Sequence, residues 1–126
     1  MRKSDTGRRG EELALAWLLE RGFRLLDRNW RSRHKEIDLL MERDGRLHVI
    51  EVKTLTAPMS AQLAIQPFEK VDGAKRRNLA EAARRYAAEK RFDGDIQFDI
   101  VSVILDGDQA RVDHIPEAFF PIWNRL

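Results

Sequence analysis

The chain has 126 residues, 43% of them hydrophobic and 35% charged, enough for a single core without covalent staples, and residues 1–126 read as one domain. The absence of cysteine excludes disulfides and thiolate metal sites, and no apolar run is long enough to span a bilayer. The first twenty residues lack a signal-peptide pattern, so a cytoplasmic protein is the economical reading.

A formal net charge of +2 conceals an uneven distribution. Residues 1–35 carry ten Lys or Arg against five acids and residues 70–91 eight against three, whereas residues 36–69 carry three against six and residues 92–126 two against seven. Basic segments flanking an acidic centre suit a protein that attracts a phosphate backbone and holds a cation. The plainer alternative is that both basic stretches are solvated helix faces.

In chain order, a polar arm from Met1 to Asp5 precedes a helix that Thr6 is placed to cap and that runs to about Glu20. Leu13, Ala14, Trp17 and Leu18 fall at helical spacing. Glu11, at the edge of that stripe, either leans toward the hairpin that follows or is an ordinary first-turn acid favoured by the helix dipole. Gly22 ends the helix. Phe23 to Trp30 reads as a strand, with Arg24 and Arg28 left for solvent or phosphate. Asn29, Trp30, Arg31, Arg33 and His34 then form a basic connection containing an aromatic ring. Interleaved Arg and Trp suit base stacking and phosphate neutralisation, with Trp30 as a core residue the competing reading. His34 and His48 are not at metal-ligand spacing and are given no role.

Glu36 to Lys53 is the stretch around which the rest is organised: two apolar strands joined by Arg43-Asp44-Gly45-Arg46, with acids set into them. Alternation places Glu51 and Lys53 on one face with Leu47 and Val49, and Ile50 and Val52 on the other. Both faces are apolar, as in a central strand covered on both sides. A carboxylate there is costly to desolvate unless paired or bound to a metal. Were Asp38 and Glu51 about 4 Å apart they would repel by roughly 4 kcal/mol at an effective dielectric near 20. A divalent cation turns that repulsion into a site. Asp38, Glu51 and a backbone carbonyl near Val52 are the oxygen donors Mg2+ favours, and Lys53 is placed to orient or deprotonate water, or to hold a phosphate oxygen.

Thr54 to Glu69 has no clear period and contains Pro58 and Pro67, so it reads as a long loop with one helical turn at Ala61 to Ala64. A second helix, Val71 to Lys90, carries Leu79, Ala82, Ala83 and Tyr86 as its stripe, with Lys75, Arg76, Arg77, Arg84 and Arg85 around it. Asp95 to Leu105 is an apolar strand interrupted by Asp99, for which pairing with a basic residue is favoured over support of the site. Asp106-Gly107-Asp108 turns into an edge strand, Ala110 to Ile115. The apolar tail Pro116 to Leu126 must pack on the core or on another subunit. The order is helix, three strands, helix, two strands, an α/β or α+β arrangement with a mixed sheet.

An Asp, a spacer and Glu-x-Lys resemble the restriction-endonuclease-like, or PD-(D/E)xK, superfamily. More closely, Gly10-Glu11-Glu12-Leu13-Ala14, Gly22-Phe23, Arg28-Asn29-Trp30-Arg31, Glu36-Ile37-Asp38-Leu39-Leu40, Val49-Ile50-Glu51-Val52-Lys53 and Phe98-Asp99-Ile100-Val101 are similar to the YraN-like family of uncharacterised bacterial proteins, regarded as predicted endonucleases. The resemblance implies a restriction-endonuclease-like fold, a central mixed β-sheet flanked by helices. It also implies metal-dependent cleavage of DNA, with structured or branched DNA among the expected substrates, and Mg2+ or Mn2+ as the metal. Archaeal Holliday-junction resolvases place a helix Glu before a similar Asp and Glu-x-Lys, which carries over to Glu11, Asp38, Glu51 and Lys53. Asp38, Glu51 and Glu11 are then the metal ligands, and Lys53 positions the nucleophile. Arg31, Arg33, Lys75 and Arg76 are the expected nucleic-acid contacts, with Lys70 competing with Lys75 for the family's helix lysine. Lys35 stands where the family usually has Gly, which bears on the turn geometry, and Leu55 where it often has a basic residue. Two other classes compete: a nucleic-acid-binding module of the same fold without turnover, and a homodimeric protein-interaction domain using the apolar tail. No membrane partner is expected.

Overall fold

The structure, a computed structural model, describes residues 3–33, 35–61 and 73–118, the side chain of Lys75 excepted. Its elements are α1 (Asp5–Glu20), β1 (Arg24–Ser32), β2 (Lys35–Arg43), β3 (Arg46–Thr56), α2 (Gly73–Glu89), β4 (Ile96–Asp106) and β5 (Gln109–Ile115). The strands form one sheet in the order β1-β2-β3-β4-β5, with β3 and β4 parallel and every other pair antiparallel. This is the expected α/β (α+β) architecture, a mixed sheet with helices on both faces, consistent with the restriction-endonuclease-like fold.

Helix α1 starts two residues earlier than the sequence suggests, because Ser4 rather than Thr6 caps it: Ser4 Oγ accepts the Gly7 N–H at 3.0 Å. Its last turn is closed by Gly22, whose φ of 86° lets the Phe23 N–H reach the Leu18 carbonyl at 3.2 Å. The β2–β3 connection turns through Asp44 and Gly45, both at positive φ, as a two-residue hairpin requires. Strand β3 continues to Thr56, taking the first three residues of the expected loop. The helical turn expected at Ala61 to Ala64 lies outside the described residues beyond Ala61, as do Lys70, the first residues expected of the second helix, and the tail from Phe119.

Alternation along the central strands builds two cores. Ala14, Leu15 and Leu18 of α1 pack with Leu39, Met41, Ile50, Val101, Val103 and Leu105. On the other face Leu79, Ala82, Ala83 and Tyr86 of α2 pack with Ile37, Leu40, Leu47, Val49 and Phe98. Trp30 belongs to this second core, edge-on to Tyr86 at 5.2 Å between ring centroids, so it is a packing residue rather than a stacking platform.

Two local features aim the β1–β2 ribbon. A register shift between Leu25 and Asp27 leaves Leu26 as an extra residue, so that Leu26 and Asp27 both turn to the α2 face, where Leu26 packs on the core and Asp27 accepts from the Tyr86 hydroxyl at 3.1 Å. Farther along, Leu39 lies in the α1 core and Ile37 in the α2 core, although residues two apart on a regular strand share a face. Between the pairs Arg28↔Leu39 and Trp30↔Ile37 stand Asp38 and Asn29, the latter at φ 53°. The ribbon turns over at this point. Asn is among the few non-glycine residues that adopt such a φ readily. The turn that follows takes its positive φ at Arg33 (53°), and Lys35 already lies in β2 opposite Ser32, which is why no glycine is needed there.

Candidate active site

Strands β2 and β3 pair from Arg43↔Arg46 to Leu39↔Ile50 and no farther. One more step of that register would set Asp38 opposite Glu51, a like-charge pair that destabilises a ladder. The strands instead part, and Asp38 Oδ2 accepts the Val52 N–H at 2.8 Å in place of a backbone partner. Asp38 and Glu51 line a cleft of about 10 Å³ with Lys35, Glu36, Ile37, Val49, Ile50 and Leu79, room for about one water. Lys53 Nζ lies 3.4 Å from Glu51 Oε1, and the lysine side chain is 42% exposed.

Glu11 arrives from α1. Gly10 rides directly on β3: a Cβ there would stand 1.9 Å from Thr54 Oγ1, so only glycine allows this approach. The next residue, Glu11, is therefore pressed against the sheet at 3% exposure, far more deeply than an ordinary first-turn acid. Of its two readings, the one leaning toward the hairpin holds.

A lysine joins these acids. Lys3 Nζ lies 2.6 Å from Asp38 Oδ1 and 3.4 Å from Glu36 Oε1, and donates to Glu11 Oε2. Burial works against the Lys3 charge, but the hydrogen bonds to Asp38 and Glu11 outweigh it and hold the ammonium above the usual lysine range. Burial pushes Glu36 up, yet Arg31 and Lys3 hold it below the usual glutamate range. Arg28 completes the wall, its Nη2 3.6 Å from Glu11 Oε1 while it donates to Glu12. Lys3, Arg8, Arg9, Arg28 and Asn29 line an open pocket of about 430 Å³ beside this cluster.

Of the expected nucleic-acid contacts, Arg31 is exposed and pairs with Glu36 at 3.1 Å. Arg33 is exposed 4.0 Å from Glu81, on the rim of a second pocket shared with Lys35 and Arg85. Arg76 is half-buried in α2, and the Lys75 side chain lies outside the described residues. Residue types alone left Lys3 and Glu36 unassigned. Glu36 had a visible signal, two residues before Asp38; Lys3 had none.

A second carboxylate cluster occupies the α1 side of β3 and β4. Asp99, 1% exposed, accepts from His48 Nδ1 at 2.7 Å, His114 Nε2 at 3.0 Å, Gln97 Nε2 at 2.8 Å and the Glu117 N–H at 3.0 Å. Phe23 meets both imidazoles edge-on, its centroid 4.9 Å from His48 and 5.7 Å from His114. Burial pushes the Asp99 carboxyl up, but these hydrogen bonds outweigh it and hold it far below the usual aspartate range. Structural pairing, the favoured reading of Asp99, is what the fold provides. His48, given no role from sequence, is one of its partners.

The acids at the split suit a hard cation by their chemistry, and they already surround one in the Lys3 ammonium. Among the described residues, no three carboxylates or imidazoles stand close enough together to hold a metal ion. No helix among the described residues is long and apolar enough to cross a membrane.

The sequence model of the uncharacterised protein family UPF0102 matches residues 10–103. The chain belongs to this family, the YraN family. UPF0102 proteins similar to it include one from Bacteroides thetaiotaomicron, 38% identical over 94% of both chains. Another, from Anaeromyxobacter dehalogenans, is 43% identical over 90% of this chain and 82% of its own. A third, from Myxococcus xanthus, is 36% identical over 93% of this chain and 90% of its own. Glu11, Asp38, Glu51, Lys53 and Asp99 fall within the UPF0102 match, whereas Lys3, His114 and Glu117 lie outside it.

Proposed function

We propose that this UPF0102 protein is a metal-dependent endonuclease that hydrolyses DNA phosphodiester bonds, with structured or branched DNA as candidate substrates. The observation that carries this reading is the parting of β2 and β3 at Asp38. There an aspartate fixed by a backbone N–H faces a cation together with Glu11 and Glu36, beside the Glu51-Val52-Lys53 tripeptide. In it Asp38 and Glu51 hold Mg2+ or Mn2+, with Glu11 binding directly or through water. Such an ion, when bound, supplies Lewis acidity and an activated water. The Val52 N–H keeps Asp38 in one orientation, so the carboxylate needs no reorganisation as charge develops. Lys53, anchored beside Glu51 with its side chain partly exposed, orients the attacking water or holds a phosphate oxygen as a point charge. Arg28, Arg31 and Arg33 lie along the ribbon leading to the split and are suited to contact flanking phosphates.

Calorimetric titration of Mg2+ and Mn2+ into wild type, Asp38→Ala and Glu51→Ala, with and without DNA, tests this, followed by cleavage assays on linear, nicked and branched duplexes. Binding lost in both variants, with cleavage lost in Lys53→Ala, is expected. Cleavage that survives both Asp38→Ala and Lys53→Ala removes the assignment. A nucleic-acid-binding module without turnover is the second reading, favoured by the lysine standing among the acids. It predicts salt-sensitive DNA binding with no metal requirement.

A further inference from the structure

Lys3 reaches the acidic cluster from the residue preceding the N-cap Ser4, so the start of α1 fixes its backbone while a flexible stem carries its charge. Its ammonium uses Asp38 Oδ1 and Glu11 Oε2, two oxygens that a cation at the split would also need. Asp38 Oδ2 is meanwhile held by Val52, so the orientation of Asp38 does not depend on which cation is present. At 28% side-chain exposure, Lys3 can withdraw to water without opening either core.

We propose that Lys3 is a tethered competitor for the divalent cation: the N-terminal arm closes the carboxylate site with its own ammonium, and a divalent ion opens the site by displacing it. This regulation rests on the metal-dependent reading of the same residues. Metal affinity is lowered by the fraction of molecules in the closed state, and the arm is released when metal binds.

The test is Mg2+ and Mn2+ titration of Lys3→Gln beside wild type and Lys3→Arg, by calorimetry, with and without DNA. Lys3→Gln is expected to bind metal about tenfold more tightly than wild type, the closed fraction having been removed, while Lys3→Arg keeps the competing charge and stays near wild type. A second readout uses the unaltered chain: the rate at which an amine-acylating reagent modifies Lys3, followed by mass spectrometry. Mg2+ should accelerate modification of Lys3 in wild type, and Asp38→Asn should accelerate it without metal. Equal or weaker metal binding by Lys3→Gln, or acylation of Lys3 indifferent to a metal that does bind, overturns the competition and leaves the metal site standing. Absence of metal binding by all three proteins, with DNA present, overturns both.

Discussion

Asp38 and Asp99 are both aspartates set within strands of one sheet, and the fold completes them in opposite ways. Asp99 is enclosed, and four donors from its own and neighbouring segments satisfy it at 2.7–3.0 Å. Asp38 stands where two strands part; one oxygen takes a backbone N–H and the other an ammonium brought by the chain's polar arm. A carboxylate satisfied by the sheet itself holds strands together. One satisfied by a detachable cation is open to exchange. Charge and residue type do not distinguish these cases; the origin of the partners does.

The largest effect expected from this contrast is on stability. Asp99→Ala strips His48 and His114 of their shared acceptor and should cost about 3–5 kcal/mol, read from urea unfolding. A loss below about 1 kcal/mol would erase the distinction between the clusters. Acid should sharpen it. The folded-state pKa of Asp99 is depressed below its reference of 3.8, so its contribution is complete above that reference and is lost progressively as pH falls from there through the lower folded-state value. The urea midpoint of wild type should therefore fall from about pH 5 toward pH 2 more steeply than that of Asp99→Asn. Gly10→Ala, which drives a methyl into Thr54, should cost about 1–3 kcal/mol and displace Glu11, lowering metal affinity with it; Thr54→Ala should restore part of both. The smallest change in stability is expected at the exchangeable site. Asp38→Asn keeps an acceptor for Val52 and removes one of several crowded acids, so unfolding should shift by less than about 1 kcal/mol while metal binding is lost.

Much of this was legible in residue order. The helical stripe of α1, the Asp44-Gly45 turn and the apolar strands on either side each agree with the element they form. Asp38 and Glu51 stood out because acids interrupt apolar strands, where desolvation demands a reason, with Lys53 two residues on; Glu11, on a helix, joined them through the resemblance to the resolvases. His48 and Asp99 interrupt apolar strands in the same manner. Their pairing depends on the parallel register that sets Ile50 beside Asp99, and that register is reached only after the chain has passed through α2. Lys3 was illegible for a different cause. Nothing local marks one lysine of a polar arm, and its partners Glu36 and Asp38 lie more than thirty residues away. The exchange of faces at Asp38 likewise escapes a rule of strict alternation, because it is a break in that rule.

That break bears on how the ribbon moves in time. From Lys35 to Ile37, strand β2 is paired with β1 alone, whereas from Leu39 to Glu42 it is paired on both sides. Local opening follows the weaker pairing, so amides at the tip should exchange with solvent sooner than those at the base, with Asn29 and Asp38 marking the boundary. A ligand gripping Asp38 would tie the faster half to the slower one, and the protection it conferred would spread outward along the tip from that single residue.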